Sequence, residues 1–175
     1  MPLQTERLLL RDLEPDDLDA LAAMFADEEV MRWIGAGGVL GRDVAAGMIE
    51  RQQRHYLERG WGQWATVERA SGRMIGVCGL ILWPEIGGRE ELEVAYLLAR
   101  DAWGKGFATE AALAIRDYGV AIRPDLVSLI YPDNAASINV ARKVGMRWEK
   151  GVELEGSMLG LYRLNASADA ATPSA

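Results

Sequence analysis

Gly104 and Gly106 bracket a single lysine, after the apolar run that ends at Leu98 and before a helical pattern that begins at Phe107. Two residues without a β-carbon let the backbone turn sharply and aim successive N–H groups at one point. A helix starting just behind them adds unpaired amide donors and the positive end of its dipole. Together these make a cradle for a phosphate or pyrophosphate, although a plain strand-to-helix turn would use the same residues. Upstream, Glu91 and Glu93 share one face of a strand-like run with Ala95 and Leu97, while Leu92, Val94, Tyr96 and Leu98 take the other. Carboxylates on an inner strand are costly unless partnered. The pair is therefore an exposed edge, an ion pair with an arginine, or a base whose pKa desolvation has raised. Asn134 and Ser137, three apart at the head of a helical segment, are either ordinary cap residues or polar ligands for a bound group.

The elements that must hold these residues alternate along the chain. Leu3 to Leu13 reads as an opening strand, and Glu14-Pro-Asp16 starts a helix whose Leu18, Leu21, Ala22 and Phe25 face a core. A short helical segment, Val30 to Ile34, breaks at Gly35-Ala-Gly-Gly38, and a long helix runs from Asp43 to Arg59. Trp61 to Glu68 and Arg73 to Leu82 read as paired strands joined at Ala70-Ser-Gly72. Trp83 to Arg89, with Pro84, Gly87 and Gly88, reads as a loop before the strand Glu90 to Leu98. The helix after the glycine loop buries Phe107, Ala111, Ala114, Ile115 and Tyr118 on one stripe. A strand from Leu126 to Tyr131, a helix from Asn134 to Val144, and strands Met146 to Leu154 and Ser157 to Leu164 complete the order. Hairpins alternating with helical crossovers give an α/β (α+β) chain with a mixed sheet. Residues 1–165 form one expected domain, and 166–175, small and polar, a disordered tail.

At 175 residues, half of them hydrophobic and 26% charged, the composition is that of one globular domain. No apolar run approaches the roughly 20 residues that cross a bilayer, and no basic-then-apolar leader opens the chain, so the cytoplasm is the expected compartment. A net charge of −7 disfavours a nucleic-acid partner and is compatible with a positively charged substrate. Cys78 is the only cysteine, which excludes an internal disulfide and a cysteine-rich metal site, and no metal is expected. His55, the only histidine, lies in a polar helical stretch and reads as solvated. The glycine loop falls short of G-x-G-x-x-G and lacks the G-K-[ST] ending, which counts against dinucleotide and nucleoside-triphosphate sites.

Four segments, in order, resemble one family. Tyr96-Leu-Leu-Ala-Arg-Asp-Ala-Trp-Gly-Lys-Gly-Phe-Ala-Thr-Glu110 resembles the acetyl-CoA loop of the GNAT superfamily of N-acetyltransferases, in particular the RimJ/RimL-like branch. Thr5-Glu-Arg-Leu-Leu-Leu-Arg11 with Asp27-Glu-Glu-Val-Met-Arg-Trp33 is similar to that branch's opening strand and helical hairpin. Glu91-Leu-Glu-Val-Ala-Tyr-Leu-Leu98 precedes the loop, and Pro132 to Met146 is similar to the N-x-x-S and K-x-G-F segment.

The resemblance spans about residues 3 to 164 and implies a twisted, mostly antiparallel sheet splayed between its fourth and fifth strands, with acetyl-CoA in the split. It implies that the backbone of Trp103, Gly104, Lys105, Gly106, Phe107 and Ala108 holds the pyrophosphate, with a hydroxyl from Thr109. Lys105 lies over the phosphates or in solvent. The pantetheine arm pairs with Val94, Tyr96 and Leu98 and meets Asn134. Glu93 is then the general base for an amine, directly or through water, because an ammonium of reference pKa about 8 to about 10.4 must first lose its proton. Tyr162, Ser137 or solvent protonates the departing thiolate, with Tyr162 expected ahead of Ser137, whose hydroxyl can satisfy a backbone group in the first turn of its helix and whose pKa is farther from that of a thiol. Asp101 replaces the glutamine or arginine that opens the broad family motif, leaving binding to the amides unless Arg100 compensates. Trp33 and Trp83 flank the loops that would wall the acceptor pocket. The expected activity is acetyl transfer from acetyl-CoA to a protein N-terminus or a small amine, by a monomer or homodimer. A non-catalytic acyl-CoA sensor on the same fold is the alternative.

Overall fold

A computed structural model describes residues 3–164; the expected disordered tail lies outside them. Among the described residues eight strands form one sheet in the order β1-β2-β3-β4-β5-β6-β8-β7. The strands are β1 (Leu3–Gln4), β2 (Leu8–Arg11), β3 (Gln63–Glu68), β4 (Met74–Ile86), β5 (Arg89–Leu98), β6 (Val127–Ile130), β7 (Met146–Leu154) and β8 (Ser157–Leu164). The helices are α1 (Leu18–Phe25), α2 (Glu28–Met31), α3 (Arg42–Arg59), α4 (Phe107–Gly119) and α5 (Ala135–Lys143). All neighbours pair antiparallel except β5 and β6. The result is the mixed, mostly antiparallel sheet implied by the resemblance.

Strand alternation distributes the core as expected. Leu92, Val94 and Leu98 of β5 join Leu8, Leu10, Trp64 and Ile75 under α4 and α5. Leu97 faces the opposite way, into a second cluster with Leu21, Phe25, Met48 and Ile49 from α1 and α3. Ile86, Val127, Val152, Leu159 and Leu161 form a third cluster beyond β5. The buried stripe of α4 is Phe107, Ala111, Ala112, Ile115 and Gly119, rotated from the expected one so that Ala114 and Tyr118 sit at its margin.

Several boundaries depart from expectation, among them α2, which runs Glu28–Met31 and not Val30 to Ile34. The opening strand is two, because the chain turns at Thr5, whose hydroxyl accepts from the Leu8 amide at 3.0 Å. A short 3-10 turn, Pro15–Asp17, precedes α1. The largest correction concerns Trp83 to Arg89, which is not a loop: β4 continues to Ile86 and β5 begins at Arg89. Gly87 and Gly88, at φ 60 and 98, make a two-residue turn with both central residues at positive φ, the geometry that matches hairpin twist. Pro84 is tolerated because the register shifts between Trp83 and Ile86.

The sheet opens between β5 and β6. Only Glu93 and Val127 are in register there, whereas β4 and β5 stay paired from Gly76–Leu98 to Ile86–Arg89. With Leu3–Arg11 counted as one opening strand, this is the gap between the fourth and fifth strands. Side chains replace the missing ladder: Ser128 Oγ donates to Val94 O at 2.8 Å, and the Leu129 amide donates to Glu93 Oε1 at 3.0 Å. Among the described residues no helix is long and apolar enough to cross a membrane.

Candidate active site

Beyond Leu98 the chain makes a 3-10 turn, Arg100–Ala102, then the glycine loop, and enters α4 at Phe107. Buried Ala102 and Phe107 anchor the loop at both ends. Trp103 Nε1 donates to Leu98 O at 2.8 Å, tying the loop back to the strand. Gly104 and Gly106 have φ 73 and 83, a region costly for any residue with a β-carbon. Among the described residues, the backbone N–H groups from Gly104 to Thr109 donate to no protein acceptor. Six consecutive free amides at a helix start have the chemistry an anion requires. The cation sought nearby does not come from Arg100, which is held by Asp27 (Nε to Oδ2, 3.1 Å), while Asp101 pairs with Arg73 at 2.8 Å.

The two glutamates of β5 have opposite fates. Glu91 is fully buried and accepts from Arg163 Nη2 at 2.7 Å and Arg89 Nε at 2.8 Å. Burial alone would raise its pKa; the arginine hydrogen bonds outweigh that and hold it below the usual range. Glu91 thus meets the ion-pair reading. Glu93 is 7% exposed, and among the described residues no cation pairs with it. Its carboxylate accepts from Trp83 Nε1 at 2.7 Å and from the Leu129 amide at 3.0 Å. Desolvation dominates, and the two neutral donors offset only part of it, so the pKa is pushed up to about 7. A carboxyl that titrates near neutrality, where the sheet opens, suits proton abstraction.

On the opposite face of β5, Tyr96 points under α5. Its hydroxyl oxygen is buried without a well-formed hydrogen bond. Burial pushes its pKa up to about 12, partly offset by the nearby Ser137 side chain. Asn134 is the cap of α5, its Oδ1 accepting from the Ser137 amide at 3.1 Å. The cap reading of Asn134 is therefore satisfied, while Ser137 acts through its amide, and its hydroxyl is left for Tyr96 or a ligand. Tyr162 lies on β8 opposite Ser128 in register, 8% exposed, in the same cluster under α4 and α5 as Val94.

At the other rim, Trp33 and Tyr131 pack with ring centroids 6.0 Å apart, and the Tyr131 hydroxyl binds Gly35 O and, at 3.1 Å, Ser157 Oγ. Cys78 is fully buried, and burial pushes its thiol up, away from nucleophilic thiolate chemistry. His55 is half-buried on α3, and burial lowers its pKa. The structure thus brings Glu93, Trp83 and Leu129 together on one side of the opening and Tyr96, Ser137 and Asn134 on the other. Trp83 as a partner of Glu93 was missed. In the hairpin register Trp83 lies opposite Glu91 and diagonal to Glu93, on the same face. Recognising Gly87-Gly88 as a two-residue turn would not have placed it there, because that turn alone sets Trp83 opposite Leu92; the register shift between Trp83 and Ile86 moves it by one residue onto the face of Glu91 and Glu93.

Comparison with known proteins adds an independent finding. The family profile described as "Acetyltransferase (GNAT) domain" matches residues 7–147. A Bacillus licheniformis protein described as "Uncharacterized N-acetyltransferase p20" is 30% identical over 149 residues, covering 84% of this chain and 83% of its own. The crystal structure of an acetyltransferase from Agrobacterium tumefaciens superposes with TM-score 0.78 at 29% identity, covering 94% of each chain. RimL, a ribosomal L7/L12 alpha-N-protein acetyltransferase in complex with coenzyme A, shares the fold at TM-score 0.73 and 16% identity, over 93% of this chain and 97% of its own.

Proposed function

The chain belongs to the GNAT acetyltransferase family, and from that premise we propose that it transfers the acetyl group of acetyl-CoA to a primary amine. The observation that carries this reading is the pairing, on one strand, of a cation-free buried carboxylate with a terminal loop of free amides. The free loop amides from Gly104 to Ala108, with Thr109, suit the CoA pyrophosphate, and Lys105, exposed on the loop, adds a positive charge; the Trp103 amide, expected in the same set, is spent on Arg100 O at 3.1 Å. The pantetheine arm takes the place of the missing strand partner along Val94, Tyr96 and Leu98, near Asn134. The coenzyme A in the RimL structure supports that choice of co-substrate.

The chemistry then follows from the residues at the opening. Glu93 takes the ammonium proton, and the freed amine attacks the thioester carbonyl carbon. A backbone N–H of β5 stabilises the developing oxyanion. The carbon–sulfur bond breaks as the nitrogen gives up its second proton, and the thiolate takes up one proton, so the proton on Glu93 is the one released to solvent overall. The acetyl group passes directly to the amine, without an acyl-enzyme, so Cys78 is not needed. Of the two donors considered for the thiolate, Ser137 is favoured over Tyr162, because its hydroxyl borders β5 beside Tyr96. Ser137→Ala is expected to lower turnover by about tenfold, at the low end of general-acid help, and Tyr162→Phe by less. Equal activity of the Ser137→Ala chain and the parent in steady-state assays would take Ser137 out of this role, and equal activity of the Tyr162→Phe chain as well would leave solvent as the proton source.

Trp83 tunes the base. Trp83→Phe removes a donor to the carboxylate, which disfavours the ionised form and drives the Glu93 pKa higher still. The acidic limb of the rate profile should move to higher pH by roughly one to two units, since a hydrogen bond to a charge contributes about 1.5–3 kcal/mol. An unshifted limb would remove Trp83 from this role. The overall reading is tested by mixing protein, acetyl-CoA and a panel of amines, including N-terminal peptides and polyamines. Release of CoA with acetylated amine is expected; tight CoA binding with no turnover on any amine would favour the sensor alternative.

A further inference from the structure

The glycine loop is gripped from a distant part of the chain. Glu110, in the first turns of α4, accepts from Thr5 Oγ1 at 2.6 Å and from the Arg7 amide at 2.8 Å through Oε1. Its Oε2 accepts from Arg7 Nε at 2.7 Å and lies 2.6 Å from Nη2. Burial pushes the Glu110 carboxyl up, but these bonds outweigh it and hold the pKa below the usual range, so it stays ionised. The Arg7 guanidinium then spans to the loop, where Nη1 donates to Lys105 O at 2.9 Å, and it lies over the Phe107 ring at 4.7 Å.

We infer that Arg7, fixed by Glu110, is a positioning residue that sets the direction of the Gly106 N–H in the phosphate cradle; this rests on the CoA reading of the loop. In a trans peptide the C=O and N–H point opposite ways, and the described chain has no cis bond. Holding Lys105 O against Arg7 therefore turns the Gly106 N–H away from Arg7, where it meets no protein acceptor. Gly106, which ends that peptide at φ 83, is the residue that lets it flip. A flipped peptide would present a carbonyl oxygen, not a donor, to the phosphate. Arg7 is 44% exposed, and a pair so open adds little to global stability. Its geometry acts on the loop instead. A lysine cannot replace it, because one ammonium does not span Glu110 and Lys105 O with a planar fork.

The test measures Kd by calorimetry for CoA and for pantetheine, which lacks the pyrophosphate, on the parent, Arg7→Gln and Arg7→Lys chains, with Tm as a check on folding. Both substitutions are expected to weaken CoA about tenfold, the scale of one misaimed donor to a charge, and to leave pantetheine affinity within twofold. Restoration of CoA affinity by Arg7→Lys would show that charge alone matters and overturn the inference. So would unchanged CoA affinity in Arg7→Gln, or equal losses for both ligands. A parent chain that binds no CoA at all would instead sink the reading of the loop itself, and the latch with it.

Discussion

Replacing Gly106 with valine (Gly106→Val) is expected to weaken acetyl-CoA binding at least about 100-fold, the loss expected when one or two donors to a charge are misplaced. Gly106 stands at φ 83 as the residue that leads into α4. A β-branched side chain is strained there, so the loop must leave the conformation that lines up its amides. A β-carbon at this position would lie 3.5 Å from Arg7 Nη2, an ordinary contact, so the backbone conformation and not lack of space carries the effect. The strain falls on an exposed loop rather than on the sheet, so far-UV circular dichroism should remain that of the parent. A folded Gly106→Val chain that binds acetyl-CoA as tightly as the parent would show that the loop is an ordinary turn.

Glu93→Gln is expected to lower turnover by about 100-fold or more, the usual scale of general-base assistance, with little change in acetyl-CoA affinity. Glutamine keeps the shape but has no site for a proton from an ammonium. It also exchanges one acceptor for a donor, which must face either Trp83 Nε1 or the Leu129 amide, both of which donate now. Some loss of stability is therefore expected, and rates should be compared well below the melting temperature. A fully active glutamine variant with the preferred amine would take Glu93 out of the mechanism.

Where the chemistry depends on neighbours in sequence, it was legible. Gly104 and Gly106, the free helix start behind them and the alternation of β5 all follow from local backbone rules, and the structure places them as expected. What separates Glu91 from Glu93 is not local. Arg163, which neutralises Glu91, is 72 residues away, and nothing in a strand pattern says which of two alternating carboxylates an arginine will reach. Arg7 and Glu110, 103 residues apart, were hidden for the same reason. Trp83 was hidden differently: Pro84 and the glycine pair have the composition of a loop, and only a bulge in β4 lets proline sit within a paired strand. Ser137 was expected to spend its hydroxyl on a backbone group; Asn134 takes the cap role instead, because its longer side chain reaches the Ser137 amide from the cap position. The opening between β5 and β6 followed from the family resemblance and not from periodicity, which registers strands but not the places where they part.

The most direct measurement is the pH dependence of kcat/KM for the preferred amine, in the parent and in Glu93→Gln. Burial raises the Glu93 pKa to about 7, and the base works only when ionised, so the sign is fixed. The rate should fall tenfold per unit as pH drops below about 7 and level off above it, once the separate titration of the amine is allowed for with amines of different pKa. In Glu93→Gln that limb, common to all amines, should vanish, leaving a low rate that follows the amine alone. The same acidic limb in both chains would contradict a proton transfer through Glu93.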